Sequence, residues 1–293
     1  MTRKIIYAFL FTALFVLSYS TDTLSGAAPE EVKAAAEPAA APADAAGYAA
    51  AGLKKYAAGD YGGAVEDFNK ADAMESKDEV MFYTRGKALM RLNDFHGAKE
   101  SFGIALEIKE NYRDASLALS EAFVELYDPE QAVEVLNKVI ENEPNYSPAY
   151  VRLGMAIIAL GDLEGAIPEF DKAISLSPKN TEAYFGRALA KLGLDDSTGA
   201  LKDLSKAIDT DKSNKKAYLH RAKIKAGFKD YKGAIKDFNR AIELDPKNGE
   251  TYFERGSVKD EQGNREGALE DLSRAGELGY EKAYEVMRQF QNN

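Results

Sequence analysis

Residues 215–248 read KKAYLHRAKIKAGFKDYKGAIKDFNRAIELDPKN. Within this stretch, Tyr218 is followed four positions later by a small residue, and Ala234 is followed at the same distance by the bulky Phe238. Apolar and small residues spaced by three and four lie on one face of an α-helix. A Lys-Asp turn signal separates the two halves, and Pro246 closes the stretch, where a new helix has to begin. The stretch therefore predicts two short helices joined by a turn.

The same pattern recurs along the chain with a period of 34 residues. The alanine that corresponds to Ala234 stands, without insertion or deletion, at positions 64, 98, 132, 166, 200, 234 and 268. The aromatic residue that corresponds to Tyr218 recurs as Tyr48, Phe82, Tyr150, Tyr184 and Tyr252, whereas the third repeat carries Ser116. Each repeat is therefore predicted to be one helical hairpin, whose small residues let the two helices approach closely.

This pattern resembles the tetratricopeptide repeat family, whose 34-residue unit is a helix-turn-helix with an aromatic residue, a Leu-Gly-like pair, an Ala-x3-Phe motif and a proline. The resemblance covers seven repeats, at 45–78, 79–112, 113–146, 147–180, 181–214, 215–248 and 249–282. It implies an all-α fold, a right-handed solenoid of seven helix-turn-helix repeats. The chain departs from the family at the first-helix pair, which is Arg-Gly or Arg-Ala at Arg85–Gly86, Arg187–Ala188, Arg221–Ala222 and Arg255–Gly256.

The segment after the seventh repeat, residues 281–293, is predicted to form a capping helix and a short tail. A repeat array needs such a helix because its last repeat otherwise leaves an apolar face exposed to water. The alternative for this segment is a tail helix that docks a partner.

The first 20 residues are predicted to be an export signal. Two basic residues precede an apolar run at 5–17, which is the length of a secretory signal core and shorter than the roughly 20 residues that span a bilayer. Cleavage is expected after Ser20, with Gly26 to Ala28 as a later alternative site, and the other alternative is an uncleaved membrane anchor. Residues 21–44 are rich in Ala, Pro and Glu and predict a flexible linker. The expected location is the periplasm or cell envelope, or outside the cell.

Composition argues against several kinds of chemistry. The chain has no cysteine, which excludes disulfides and thiol ligands or nucleophiles, and its two histidines, His96 and His220, lie far apart in sequence. The net charge of -10 makes nucleic acid a poor partner. No nucleophile with a plausible base and no phosphate-binding loop is found. We therefore predict a protein that is not an enzyme, with no catalytic residues, no metal and no cofactor.

The family resemblance implies that the first helices line a concave groove, with the fifth, ninth and thirteenth residues of each repeat facing it. The predicted partner-binding residues are Tyr83, Lys87, Arg91, Leu117, Glu121, Val151, Met155, Phe185, Leu189, Leu219, Lys223 and Phe253. The alternative is that the fifth residue of each repeat is simply packed between neighbouring helices.

Charge along the predicted groove is banded. The bands are a basic opening at Lys87 and Arg91, an acidic band at Asp114, Glu121 and Glu125, an apolar middle at Val151, Met155, Phe185 and Leu189, a basic patch at Lys216, His220 and Lys223, and an acidic end at Glu250, Glu254 and Glu261. An apolar strip with banded charge suits an extended peptide or an amphipathic helix.

The sequence thus predicts an exported scaffold that binds a peptide or helix of a partner protein. One alternative is a structural component of the cell envelope, tethered to a membrane through an uncleaved amino-terminal segment or self-associating. Another is a binder of a small ligand or glycan that uses the aromatic rings of Tyr83, Phe185 and Phe253.

Overall fold

The structure is a computed structural model that describes residues 44–291. The predicted signal peptide, and the predicted linker except Asp44, lie outside the described residues. The described part contains fifteen α-helices and no strand. They are α1 (Ala45–Ala57), α2 (Tyr61–Asp72), α3 (Glu79–Arg91), α4 (Phe95–Ile108), α5 (Arg113–Glu125), α6 (Pro129–Asn142), α7 (Ser147–Ala159), α8 (Leu163–Leu176), α9 (Thr181–Gly193), α10 (Ser197–Thr210), α11 (Lys215–Gly227), α12 (Tyr231–Leu244), α13 (Gly249–Glu261), α14 (Arg265–Glu277) and α15 (Lys282–Gln291).

The predicted all-α repeat fold is confirmed, since each predicted repeat contains two helices of 12 to 14 residues. Within each repeat the chain reverses at a residue with positive φ, namely Gly59, Asn93, Tyr127, Gly161, Asp195, Lys229 or Gly263. A left-handed residue at this point ends the first helix and turns the backbone. The following Asp or Asn then caps the second helix, as when Asp230 accepts a hydrogen bond from the Gly233 amide at 3.0 Å.

Close contact between the two helices of a hairpin explains the small residues of the repeat. A Cβ atom placed on Gly86 would lie 2.5 Å from the ring of Phe102, and one on Gly52 would lie 2.6 Å from the ring of Phe68. Both phenylalanine rings are fully buried, as is the alanine four residues before each ring. The hairpin is therefore held by an aromatic ring packed directly against helix backbone.

The described residues divide into two compact units. Unit 1 ends at Glu169 and unit 2 begins at Phe170, so that α8 contributes to both. The core of unit 1 includes Phe68, Phe82, Phe102 and Leu136, and that of unit 2 includes Phe170, Leu204, Phe238 and Leu272. Among the described helices, none is both long and apolar enough to cross a membrane.

The last helix, α15, covers the end of the final hairpin in unit 2. Ala283 is fully buried and packs with Leu272 and Ala275 in one apolar cluster, which Val286 and Met287 extend. The neighbouring residues 282, 284 and 285 are exposed. This arrangement is the one expected of a capping helix, because the apolar side is covered and the polar side faces water.

Candidate partner-binding face

The first helices of unit 1 lie side by side, because α1 contacts α3, α3 contacts α5, and α5 contacts α7. This arrangement brings the Lys87 ammonium group to 5.0 Å from the ring centroid of Tyr83 and 5.3 Å from that of Tyr56. The Tyr83 ring in turn lies 5.2 Å from the ring of Tyr112. We call Tyr56, Tyr83, Lys87 and Tyr112 the aromatic–lysine cluster; all four side chains are half-buried. The Lys87 ammonium group and the rings of Tyr56 and Tyr83 make cation–π contacts, and this attraction holds the ammonium group in place.

The phenol groups of this cluster remain protonated at neutral pH. Burial, assisted by the negative charges of Asp114 and Glu121, raises the pKa of Tyr83 to about 12. Burial raises the pKa of Tyr56 and of Tyr112 as well. The cluster therefore offers hydrogen-bond donors and one fixed cation to a ligand.

Carboxylates of α5 lie next to the cluster. Glu121 forms an ion pair with Arg152, at 2.6 Å between Oε1 and Nε. Glu125 is half-buried, and burial together with the charge of Glu121 raises its pKa to about 7. In the predicted acidic band of unit 1, the charge of Glu121 is therefore compensated by Arg152, and Glu125 is partly protonated near neutral pH.

The structure buries most of the apolar side chains that were predicted to line a groove. The exposed fraction is 1% for Val151, 6% for Met155, 4% for Phe185, 3% for Leu189 and 8% for Leu219, whereas Tyr83, Leu117 and Phe253 are half-buried. Leu117 packs against the cluster of Leu136 and Leu153. The five buried residues thus serve packing between helices and leave little surface to a partner, and their role as contact residues stays a prediction.

The predicted separation of a basic patch from an acidic end in unit 2 is wrong. The Lys223 ammonium group pairs with Glu250 at 2.8 Å and with Glu254 at 3.1 Å, because α11 and α13 are neighbouring first helices. His220 does not add positive charge, since burial and Lys223 lower its pKa to about 4. Its ring packs edge-on against that of Phe185 at 5.5 Å.

The other predicted residues fall at the margins of these clusters. Arg91 is half-buried at the end of α3. Burial raises the pKa of Tyr56, and the nearby positive charge of Arg91 opposes this rise. Phe253 packs against Tyr280 with ring centroids 5.0 Å apart. Glu261 and His96 are exposed. Within residues 44–291, no group of three histidines or carboxylates is placed to hold a metal ion.

A regular set of ion pairs in unit 2 went unrecognised in the sequence. The pairs are Arg187–Asp203, Arg221–Asp237 and Arg255–Asp271, each with two parallel hydrogen bonds of 2.6–2.9 Å. In each case a lysine one turn after the arginine also binds the aspartate, at 2.7–2.8 Å; these are Lys191, Lys225 and Lys259. The three aspartates are 3–4% exposed.

Each of these arginines also reaches the second helix of the preceding repeat. The third contact runs from Nη1 to Asp171 for Arg187, to Ser205 at 3.3 Å for Arg221, and to Asn239 at 2.7 Å for Arg255. The arginine that replaces leucine in the first-helix pair therefore joins three helices. The sequence does contain a pattern that indicates these ion pairs: an arginine and an aspartate 16 residues apart, repeated every 34 residues.

Comparison with known families agrees with this geometry. Three models described as tetratricopeptide repeats match the chain, at residues 89–156, 154–195 and 185–249. Together they run without a gap from residue 89 to residue 249, more than half of the chain. The chain is a tetratricopeptide repeat protein.

Solved structures of other proteins, two of them described as tetratricopeptide repeat proteins, share the fold. One from Parabacteroides merdae superposes with a TM-score of 0.64 at 19% identity, covering 83% of this chain and 97% of that one. PilF of Pseudomonas aeruginosa gives 0.61 at 16% identity, covering 72% and 96%. YrrB, described as a tetratricopeptide repeat protein with an unusual peptide-binding site, gives 0.50 at 20% identity, covering 65% and 99%. No curated protein matches the sequence significantly.

The tetratricopeptide repeat fold supports a role as a protein–protein interaction scaffold. Repeat arrays of this kind present extended binding surfaces assembled from equivalent positions of successive repeats. In unit 1 the face formed by the first helices and the residues next to them carries the aromatic–lysine cluster and the carboxylates of α5. The expectation that the protein is not an enzyme agrees with this class of scaffold and stays a prediction.

Proposed function

We propose that the first-helix face of unit 1 binds an extended segment of a partner protein. The observation that supports this most directly is the ammonium group of Lys87, held above the rings of Tyr56 and Tyr83. An ammonium group fixed in this way loses less conformational freedom when it meets a carboxylate than a free lysine would. The half-buried rings around it supply apolar contact area.

The charges of this face give the partner segment a direction. A carboxylate of the partner pairs with Lys87, near the end of α3 that also carries Arg91. A lysine or arginine of the partner pairs with Glu125. The pKa of Glu125 is raised by burial beside Glu121, and the positive charge of the partner residue favours the ionised carboxylate. The expected segment therefore has an acidic residue and a basic residue separated by aromatic or aliphatic ones.

Selection from a peptide display library on the purified protein tests this proposal. The expected result is a set of peptides with the acidic, apolar and basic pattern, whose affinity falls about tenfold for Lys87→Glu, an effect of about 1.4 kcal/mol. Lys99→Glu on the second helix α4 makes the same charge change and should leave binding intact. Equal losses for the two variants, or selected peptides that ignore Lys87, would show that this face is not the binding site.

We further propose that the protein is exported from the cytoplasm. Support comes from the sequence alone: the two basic residues, the apolar run at 5–17 and the Ala/Pro-rich residues that follow. Amino-terminal sequencing of the natural protein after cell fractionation should find Thr21 as the first residue in an extracytoplasmic fraction. Leu14→Arg, which interrupts the apolar run, should hold the protein inside the cell. Recovery of the natural protein in the cytoplasm with residue 2 or Met1 intact would contradict export.

A further inference from the structure

A cavity of about 340 Å³ opens in unit 1 beside Ser116. Its apolar lining residues are Leu106 of α4 and Val135 and Val139 of α6. The rest of the lining is mostly polar and includes Glu110, Lys138, the ion pair of Arg113 with Glu143 at 3.0 Å and the hydrogen bond from Asn142 to Asn111 at 3.3 Å. Ser116 is 8% exposed and Val139 is 7% exposed, so part of the lining consists of buried groups. None of the residues around it belongs to the aromatic–lysine cluster.

The place of Ser116 in the repeat explains the cavity. Every other repeat has an aromatic ring at this position. Tyr48 packs against the apolar cluster that contains Ala71, and the ammonium group of Lys70 lies 5.3 Å from its ring centroid. Residues 138 and 139 are the counterparts of residues 70 and 71 in the third repeat. Lys138 and Val139 thus line a space that a tyrosine ring fills elsewhere in the chain.

The hydroxyl group of the missing ring also has an identifiable partner. Tyr150 donates a hydrogen bond to the carbonyl oxygen of Pro144 at 2.8 Å, and Tyr184 donates one to that of Pro178 at 3.3 Å. In both cases the acceptor lies six residues before the tyrosine. The residue six positions before Ser116 is Glu110, which borders the cavity. The carbonyl of Glu110 therefore corresponds to the acceptor of the tyrosine hydroxyl in other repeats.

We propose that this cavity, the tyrosine cavity, binds the side chain of a tyrosine from a partner protein. The ring lies between Leu106, Val135 and Val139, and its hydroxyl group donates to the Glu110 carbonyl. An apolar cavity of only about 150 Å³ is known to hold a benzene ring, so the volume is sufficient even though Val139 is larger than the alanine of other repeats. Lys138 pairs with exposed Glu134 at 2.8 Å, a contact weak enough to rearrange over the ring.

Titration of the protein with p-cresol, the side-chain analogue of tyrosine, tests the tyrosine cavity. Methyl NMR signals of Leu106, Val135 and Val139 should shift saturably, and toluene, which lacks the hydroxyl group, should bind roughly fivefold more weakly because one hydrogen bond is lost. Ser116→Tyr should abolish the shifts by filling the cavity from within, whereas Ser116→Ala should retain them. If Ser116→Tyr does not fold, Val139→Leu serves as the second variant that narrows the cavity and weakens binding.

A second probe separates a protein partner from a free phenol. N-acetyltyrosinamide carries the same ring on a peptide backbone and should bind within about threefold of p-cresol, because the cavity opens to solvent and the backbone stays outside. Binding of p-cresol but not of N-acetyltyrosinamide would overturn the assignment to a partner protein. Shifts that do not saturate, or that persist unchanged in Ser116→Tyr, would overturn the site itself. Neither outcome depends on the Lys87 experiment, since Lys87 lies outside this cavity.

Discussion

Arg221 binds Asp237 through two parallel hydrogen bonds, Nε to Oδ2 at 2.8 Å and Nη2 to Oδ1 at 2.8 Å. Lys225 adds a third bond to the same carboxylate at 2.7 Å, and Asp237 is only 3% exposed. A buried carboxylate is tolerated because three charge-assisted bonds replace the water it has lost. Hydrogen bonding with Asp237 correspondingly raises the pKa of Arg221.

The first prediction concerns the removal of this arginine. Arg221→Leu leaves Asp237 buried with Lys225 as its remaining cation, and we expect the free energy of unfolding to fall by about 3 kcal/mol. Urea denaturation followed by circular dichroism measures this loss. Lys206→Leu on the exposed side of α10 also removes one positive charge and should cost less than about 0.5 kcal/mol.

The third repeat supplies the compensating replacement. Its residues at the positions of Arg221, Lys225 and Asp237 are Leu119, Phe123 and Val135, which pack together in one apolar cluster. Arg221→Leu/Lys225→Phe/Asp237→Val should therefore recover most of the stability lost in Arg221→Leu. A triple variant as unstable as the single one would show that the ion pairs contribute more than an apolar cluster of similar volume.

The second prediction compares two glycines of the second repeat. In Gly86→Ala the new Cβ atom meets the Phe102 ring at 2.5 Å, and we expect a loss of about 1 kcal/mol or more. In Gly103→Ala the new Cβ atom meets nothing within 4 Å, and the helix interior gains up to about 1 kcal/mol. Thermal unfolding should therefore shift in opposite directions. A common direction would contradict the close packing of Phe102 on α3.

The third prediction is a pH dependence caused by Glu125. Its pKa in the folded protein, about 7, lies above the ordinary value of 4.5, so the folded protein keeps a proton that the unfolded chain has released between these values. The contribution of Glu125 to stability is therefore complete below pH 4.5 and is lost as the pH rises to about 7. Urea midpoints between pH 5 and 8 should fall more for the natural protein than for Glu125→Gln. Parallel profiles would contradict the raised pKa.

The fourth prediction has the opposite sign and concerns unit 2. The pKa of His220 is lowered to about 4 from 6.5, so between these pH values the unfolded chain binds a proton that the folded protein does not bind. Stability from this group is present above pH 6.5 and is lost as the pH falls toward 4. His220→Phe, which keeps a ring beside Phe185, should lessen the loss of stability below pH 6. His96→Phe, which replaces an exposed histidine on a different helix, is the control for the loss of one imidazole.

Much of the fold could be predicted from the sequence because it depends on contacts between residues close in the chain. The helical hairpins, their period of 34 and the capping helix follow from side chains three and four residues apart and from turn residues such as Gly59 and Asp60. The close packing of Gly86 on Phe102 joins residues only 16 apart. Such relationships recur with similar residues in most hairpins, so a single repeat already contains them.

Less of the candidate site could be predicted from the sequence, because the packing of neighbouring repeats decides which side chains remain accessible. Phe185, Leu189 and Leu219 occupy positions that the repeat pattern assigns to a groove, yet each is less than 9% exposed. The pairing of Lys223 with Glu250 joins residues 27 apart, on different repeats, and brings together two bands of charge that look separate in the sequence. Burial and ion pairing are properties of side chains that meet, and their meeting depends on how hairpins stack.

The third repeat separates what the sequence determined from what only the tertiary structure decided. The sequence by itself determined that this protein is an array of helical hairpins and that Ser116 interrupts a row of aromatic residues. Only the packing of α4, α5 and α6 decided that the missing ring leaves a cavity of about 340 Å³ instead of a collapsed core. The reason is physical: the backbones of these helices are held apart by their remaining contacts, so the loss of one ring is not fully repaired by the added methyl groups of Val139.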